Sequence, residues 1–296
     1  MVTSHRIWLS CFPLLAVLTV GLLARTGSSA DNPGSALSKA LTFHASFDKG
    51  TDADFAFGDK RMYTATSYQR REDAQPGLGN PDVSIVEGRG KFGAALQFRK
   101  KNTRAIYYRA EKNVAFASKD FNGTVSFWLS LDPNQDLEPG YCDPFQLTDK
   151  DYNDSAVWVD FTRDDHPRHF RLGVFGELRV WNPKNLGPDQ SDDFNKRLVI
   201  VTQPPFARGQ WTQVAVTFSG LNSERGGTAK LYVNGRLQGA SDGIHEPFTW
   251  DLARAAIRLG VNYVGLYDDV AIFNRALTEN EIRTLHELKR GVAELR

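Results

Sequence analysis

Cysteine is nearly absent. The 296 residues hold two, Cys11 and Cys142. Cys11 lies inside an apolar amino-terminal stretch, and without that stretch one thiol remains. A lone thiol closes no internal disulfide, so stability must rest on a core or on a metal. Charge of one sign is also lacking. The formal net charge is +1 and becomes −1 without residues 1–30, because Arg6 and Arg25 leave with them. That balance excludes an electrostatic grip on nucleic acid or on an anionic membrane surface. No long internal repeat occurs, and only one strong amphipathic helix, near the carboxyl terminus. The apolar run Ile7–Ala24 is short for a membrane span, which needs about 20 apolar residues.

That run has the layout of an export signal. His5-Arg6 is a short basic start, and Ser28-Ser29-Ala30 offers small residues before the polar Asp31-Asn-Pro-Gly. A secretory signal peptide over residues 1–30, cut near Ala30, is the expectation; an uncleaved anchor is the alternative. The protein is then secreted or otherwise extracytoplasmic, with no stable membrane insertion. Residues 31–40 read as a flexible lead-in. Residues 41–290 read as one domain, a size that all-β sandwiches commonly reach with a single core.

Within that domain short alternating segments dominate. Leu41-Thr-Phe-His-Ala-Ser-Phe-Asp reads as the first strand, and Gly88-Arg-Gly-Lys-Phe-Gly-Ala-Ala-Leu-Gln-Phe as a turn and strand. Ile106-Tyr-Tyr, Thr124–Leu131, Ala156–Thr162, His169–Phe175, Leu178–Trp181 and Leu198–Thr202 follow as strands. Residues 49–82 hold at most poorly matched strands. Residues 132–155 and 183–196 read as polar insertions. Thr278-Glu-Asn-Glu is a capping box that opens a short terminal helix. Many short strands and one helix predict an all-β, two-sheet antiparallel sandwich.

The last third is more specific. Trp211-Thr-Gln-Val-Ala-Val-Thr-Phe, Leu231-Tyr-Val-Asn-Gly, Ile257-Arg-Leu-Gly and Gly265-Leu-Tyr-Asp-Asp-Val-Ala-Ile-Phe-Asn-Arg-Ala-Leu-Thr follow one another at strand spacing, with a hairpin at Asn234-Gly235. In wording and order these blocks resemble the laminin G-like jelly roll of the concanavalin A-like lectin/glucanase superfamily. The resemblance implies a jelly-roll sandwich. It leaves function open, since such sandwiches serve as lectins, adhesion modules, hydrolases and lyases.

Alternation sorts each strand into faces. Val125, Phe127, Leu129 and Leu131 share one face, leaving Trp128 on the other. Val157, Val159 and Phe161 leave Trp158 and Asp160. Phe170, Leu172 and Val174 leave His169 and Arg171, and Leu178 and Val180 leave Arg179 and Trp181. If these strands are neighbours in one sheet, Trp128, Trp158, Asp160, Arg171, Arg179 and Trp181 line one concave face. Indole planes stack on sugar rings while Arg and Asp direct hydrogen bonds to hydroxyls. The bland alternative is that the insertions bury the tryptophans as a second small core. Trp211 and Trp250 read as structural, and His44 as solvated.

The expected function is a non-catalytic carbohydrate- or glycoprotein-binding module. The alternatives are a polysaccharide-active enzyme using the concave face, or an adhesion and assembly domain. The resemblance would place a hydrolase's two carboxylates in a Glu-x-Asp-x-(x)-Glu run, and the chain has none, which argues against two-carboxylate hydrolysis. His169, Arg171 and Arg179 could serve a lyase, but the longer motifs of such lyases are missing. The resemblance also implies a structural calcium ion joining the first and last strands, with Asp268 and Asp48 as carboxylate ligands. Hard oxygens suit that ion.

Overall fold

Val125-Ser-Phe-Trp-Leu-Ser, the most regular alternating run, occupies the middle of a sheet, as its two well-packed faces require. The computed structural model describes residues 1–4 and 33–296, so the expected export segment lies almost wholly outside the described residues. In chain order the first strands are β1 (Leu41–Ala45), β2 (Phe55–Ala56), β3 (Met62–Ala65), β4 (Gln75–Pro76), β5 (Val83–Val86), β6 (Ala95–Phe98), β7 (Ala105–Arg109), β8 (Phe121–Ser130) and β9 (Cys142–Thr148). Then come β10 (Ala156–Phe161), β11 (Phe170–Phe175), β12 (Leu198–Val201), β13 (Thr212–Leu221), β14 (Gly227–Val233), β15 (Arg236–Ile244), β16 (Ala256–Val261) and β17 (Gly265–Phe273). Four α-helices are described: α1 (Pro33–Ala40), α2 (Leu178–Trp181), α3 (Asp192–Lys196) and α4 (Glu279–Glu287).

The strands form two antiparallel sheets, as the jelly-roll expectation requires. The back sheet runs β15-β14-β13-β8-β17-β1-β2, with β6 also on β17 and β5 on β6. The front sheet runs β12-β11-β10-β9-β16-β7-β3-β4. Between them lies one core that includes Phe43, Phe127, Phe145, Val159, Leu172, Leu231, Ile257 and Tyr267. Phe127 bridges the layers, stacked at 5.5 Å on Phe145 of the front sheet and at 5.1 Å on Tyr267 of the back sheet. At Asn234-Gly235 both residues take positive φ, 49° and 72°, which is what a two-residue hairpin with the right twist demands.

The outer face of the back sheet is covered. Leu37 and Ala40 of α1, Ile282 and Leu285 of α4, and Val292 and Leu295 bury against Ala215, Tyr232 and Phe273. The expected capping box is present: Glu281 N donates to Thr278 Oγ1 at 3.3 Å and Thr278 N to Glu281 Oε2 at 2.9 Å. Residues 33–40, expected as a flexible lead-in, are instead α1. An eight-residue helix is marginal alone, and burial of Leu37 supplies its order.

Three further expectations are corrected. Residues 132–155 are not merely a polar insertion, because β9 lies within them at the centre of the front sheet. Its signal is broken by Asp143-Pro144, where the β9–β10 register slips opposite Asp160; a bulge accommodates the proline's missing N–H. Leu178–Trp181 is a helical turn, not a strand. His44 is not solvated: it is 2% exposed, and its Nε2 lies 2.7 Å from Asp269 Oδ1. Asp269 also accepts from Val292 N at 3.1 Å, so this pair ties the first strand, the last strand and the carboxyl-terminal turn together.

Candidate functional site

The outer face of the front sheet is polar and aromatic. The strand registers align Gly173, Trp158, Gln146, Arg258, Tyr107 and Tyr63 in one row across β11, β10, β9, β16, β7 and β3. Each is the outward partner of a core residue, so the two-residue period of six separate strands builds the row. Gly173 is required here. A Cβ on it would meet Trp158 ring atoms at 2.2–2.7 Å, so its absence lets the indole lie flat across the sheet.

At the β10–β11 end a cavity of about 180 Å³ opens, lined by Tyr141, Asp143, Tyr152, Trp158, Asp160 and Arg171, with Pro188 and Phe194 completing the wall. Asp160 and Arg171 are direct cross-strand partners. Arg171 donates through Nε to Asp160 Oδ1 at 2.8 Å and through Nη2 to Oδ2 at 2.5 Å, a bidentate fork. The same guanidinium sits 5.1 Å from the Tyr141 ring centroid. The β9 bulge turns Asp143 toward Asp160. Burial, then the Asp160 charge, pushes the Asp143 carboxyl up to about 7, while Gln146 Nε2 donates to it at 2.5 Å. Burial also raises Asp160, against the hold of Arg171. Beyond Gln146, Arg258 is buried, and among the described residues no carboxylate is in ion-pair contact with it. It donates to Gln146 Oε1 at 3.2 Å and Lys150 O at 2.6 Å, and burial pulls it down to about 10.

Of the six residues expected on this face, Trp158, Asp160 and Arg171 meet at the cavity. The other three do not. Trp128 faces outward from its own strand, but β8 belongs to the back sheet, where the indole is 2% exposed between His286, Phe92 and Lys91. Trp181 sits on α2 and joins Trp158, Phe175 and Phe194 in a separate buried cluster. Its Nε1 donates to Asn153 O and that of Trp158 to Tyr152 O, at 2.9 and 2.6 Å. The insertions therefore fold over the indoles as a second small core, and the open tryptophan platform is corrected. Arg179 points into solvent beside Glu177 at 3.2 Å. The sequence reading missed Tyr141, Asp143 and Tyr152. The alternation Cys142, Phe145, Leu147, once shifted at Pro144, was the available signal.

Asp48 and Asp268 address one turn. Asp48 Oδ1 accepts from Ala94 N at 2.7 Å and Asp268 Oδ2 from Phe92 N at 3.0 Å. Asp269 takes φ 53°, and the β17 register slips there. The bulge therefore turns both aspartates to the outer side of the back sheet. Burial, then the Asp269 charge, pushes Asp268 up to about 8. The donors are hard oxygens and converge on residues 90–94, which fits calcium in kind. Among the described residues no group of three or more His, Cys, Asp or Glu is arranged to hold a metal. An ion there would take most of its six to eight oxygens from carbonyls and water.

A sequence profile of the concanavalin A-like lectin/glucanases superfamily matches residues 102–283. Among solved structures the chain is similar to domain 4 of AbnA, a GH43 extracellular arabinanase from Geobacillus stearothermophilus, in complex with arabinotriose. That match has a TM-score of 0.51 and 21% identity, over 84% of this chain and 98% of that one. It is also similar to the ligand binding domain of botulinum neurotoxin serotype D in complex with N-acetylneuraminic acid, with a TM-score of 0.53 and 10% identity. There the match covers 86% of this chain and 52% of the toxin domain, about half its length. At such identities the likeness is one of fold. A search of curated proteins found no match.

Proposed function

The chain belongs to the concanavalin A-like lectin/glucanases superfamily, and on that premise we propose that it is a secreted, non-catalytic glycan-binding module of laminin G-like type. The observation that carries this reading is the cavity around Asp160 and Arg171. Its charged pair is pre-organised by direct cross-strand pairing, and Tyr141 and Tyr152 line it. A sugar hydroxyl can share the Asp160–Arg171 fork while its ring stacks on a tyrosine. Two proteins of the same fold are solved with sugars bound, arabinotriose in one and N-acetylneuraminic acid in the other. The test is a glycan panel followed by calorimetry on the best ligand. The Tyr141→Ala/Tyr152→Ala variant should lose about 1–3 kcal/mol of affinity. A ligand bound equally well by that variant would place the site elsewhere.

One observation favours a second reading, a polysaccharide-active enzyme. The expectation against hydrolysis considered acids on one strand, whereas β9 and β10 bring Asp143 and Asp160 together from adjacent strands. A carboxyl held near 7 beside a second carboxylate is the arrangement of a general acid. Against it, Arg171 holds both oxygens of Asp160 in a bidentate ion pair, which lowers the nucleophilicity of that carboxylate. Turnover of a polysaccharide that vanishes in Asp143→Asn would decide for the enzyme.

The calcium ion is part of the same proposal. Asp268 and Asp48 would supply its carboxylates, and their convergence on the turn at residues 90–94 supports it. Joining β1 to β17 would hold the ends of the domain against fraying.

A further inference from the structure

At the far end of the same outer face, beyond Arg258, lies a second cleft of about 280 Å³. Its lining includes Gln69, Arg71, Glu72, Tyr107, Arg109 and Arg254. Arg71 is half-buried. It donates through Nη1 to Arg254 O and through Nη2 to Asp149 O, the latter at 3.0 Å. These contacts hold the guanidinium in place without neutralising it. Arg109, at the end of β7, lies 5.1 Å from the Tyr63 ring centroid. Arg254 is exposed on the turn that carries the carbonyl receiving Arg71. Among the described residues none of these three arginines has a carboxylate within ion-pair distance, whereas neighbouring Arg61 is fully engaged with Asp59. Glu72 is the one acid in the lining, and it pairs at 3.8 Å with Arg70. The floor is aromatic: Tyr107 stacks on Tyr63 with centroids 5.8 Å apart and planes 24° apart.

Three cations without acid partners in one cleft repel one another, and an anion entering between them removes that cost. Guanidinium forks suit oxyanions with two accessible oxygens, and the tyrosine plane suits the ring that carries one. The cleft and the first cavity lie on the same outer row, with the buried Arg258 and Gln146 between them. Tyr107 and Trp158 are three strands apart, roughly 14 Å at the usual strand spacing. We propose that this cleft binds the oxyanion of an acidic sugar, a uronate carboxylate or a sulfate ester, so that the protein's glycan ligand is an acidic chain lying across the front sheet. This rests on the glycan-binding reading and narrows its ligand class.

The experiment compares three probes on the full protein: a polyuronate oligosaccharide, a sulfated galactan oligosaccharide and a neutral arabino-oligosaccharide. Each is titrated in 0.1 M and 1 M salt, across which the screening length falls from about 10 to about 3 Å. An acidic probe should bind more tightly than the neutral one and weaken in high salt, and the better acidic arm identifies the oxyanion. Arg109→Gln/Arg254→Gln, both at exposed positions, should lose about tenfold in acidic-probe affinity and leave neutral-probe affinity unchanged. Neutral binding that depends on Tyr141 and Tyr152, with no acidic preference and no effect of the arginine variant, overturns this inference and leaves the glycan reading standing. Binding of none of the three probes counts against both.

Discussion

Replacing Gly173 with alanine tests whether the front face is built as described. The added Cβ would lie 2.2, 2.3 and 2.7 Å from Trp158 Cζ2, Cε2 and Cη2, closer than real contacts allow. The indole cannot simply swing away. It stacks on Phe175 at 5.9 Å and 10° and on Phe194 at 6.4 Å and 23°, and its Nε1 donates to Tyr152 O at 2.6 Å. Alanine is intrinsically better in a strand than glycine by roughly 0.5–1 kcal/mol. Overpacking costs about 1–3 kcal/mol, and losing the indole hydrogen bond about 1 more. The net expectation is a loss of about 1–3 kcal/mol. For a domain of this size that is about 2–4 °C in Tm per kcal/mol. Because Trp158 anchors the carbonyl of Tyr152, glycan affinity should fall as well. Urea unfolding and calorimetry read the two effects. The decisive comparison is Trp158→Phe in the Gly173→Ala background. A smaller ring relieves the clash, so the double variant should be more stable than the sum of the singles predicts. Additive effects, or a Gly173→Ala protein as stable as the wild type, would refute the packing argument.

Three further outcomes are expected. Asp143 is held up to about 7 from an ordinary 3.8, so between about pH 4 and pH 7 the folded state keeps a proton that the unfolded chain has lost. Its contribution therefore makes stability fall as pH rises through that window. Asp143→Asn should flatten the profile of urea midpoint against pH and be relatively more stable at pH 8 than at pH 5. His44→Ala removes a buried hydrogen-bond partner of Asp269 and leaves the hold of Val292 N alone; denaturant titration should show a loss of about 1–3 kcal/mol, and a change below about 0.5 kcal/mol would mean that the pair does not hold the termini. A chelator should lower the wild-type Tm, with calcium at 100 times its dissociation constant contributing about 2.7 kcal/mol. Asp268→Asn should abolish that shift, and a wild type indifferent to chelator would remove calcium from the proposal.

Strand positions, the Asn234-Gly235 hairpin and the Thr278 cap were legible in the sequence because each depends on neighbours a few residues away: alternation, left-handed turn geometry, side chain to amide at N3. The two-sheet architecture followed from the number and brevity of such segments and from the four blocks after Trp211. Within the site, Asp160 and Arg171 were legible as outward residues of adjacent strands, and they do pair. What alternation cannot carry is which sheet a strand joins. Trp128 and Trp158 both point away from the core, yet β8 and β10 belong to opposite layers, so the two indoles face opposite sides of the molecule. Nor does local pattern tell what covers a face. Helix α2, which carries Trp181, and Phe194 close over Trp158 because burying four aromatic rings outweighs leaving the segment extended. Bulges shift the period by one residue: at Asp143-Pro144 this hid β9 and set Asp143 beside Asp160, and at Asp269 it turned two adjacent carboxylates to one side. The sequence by itself determined most strands outside residues 49–82 and 132–155, and the faces of those strands. The long-range pairings, with residues such as Asp48 and Ala94 or His44 and Asp269 brought together from distant segments, were decided by the tertiary structure, because only closure of the whole sandwich satisfies them.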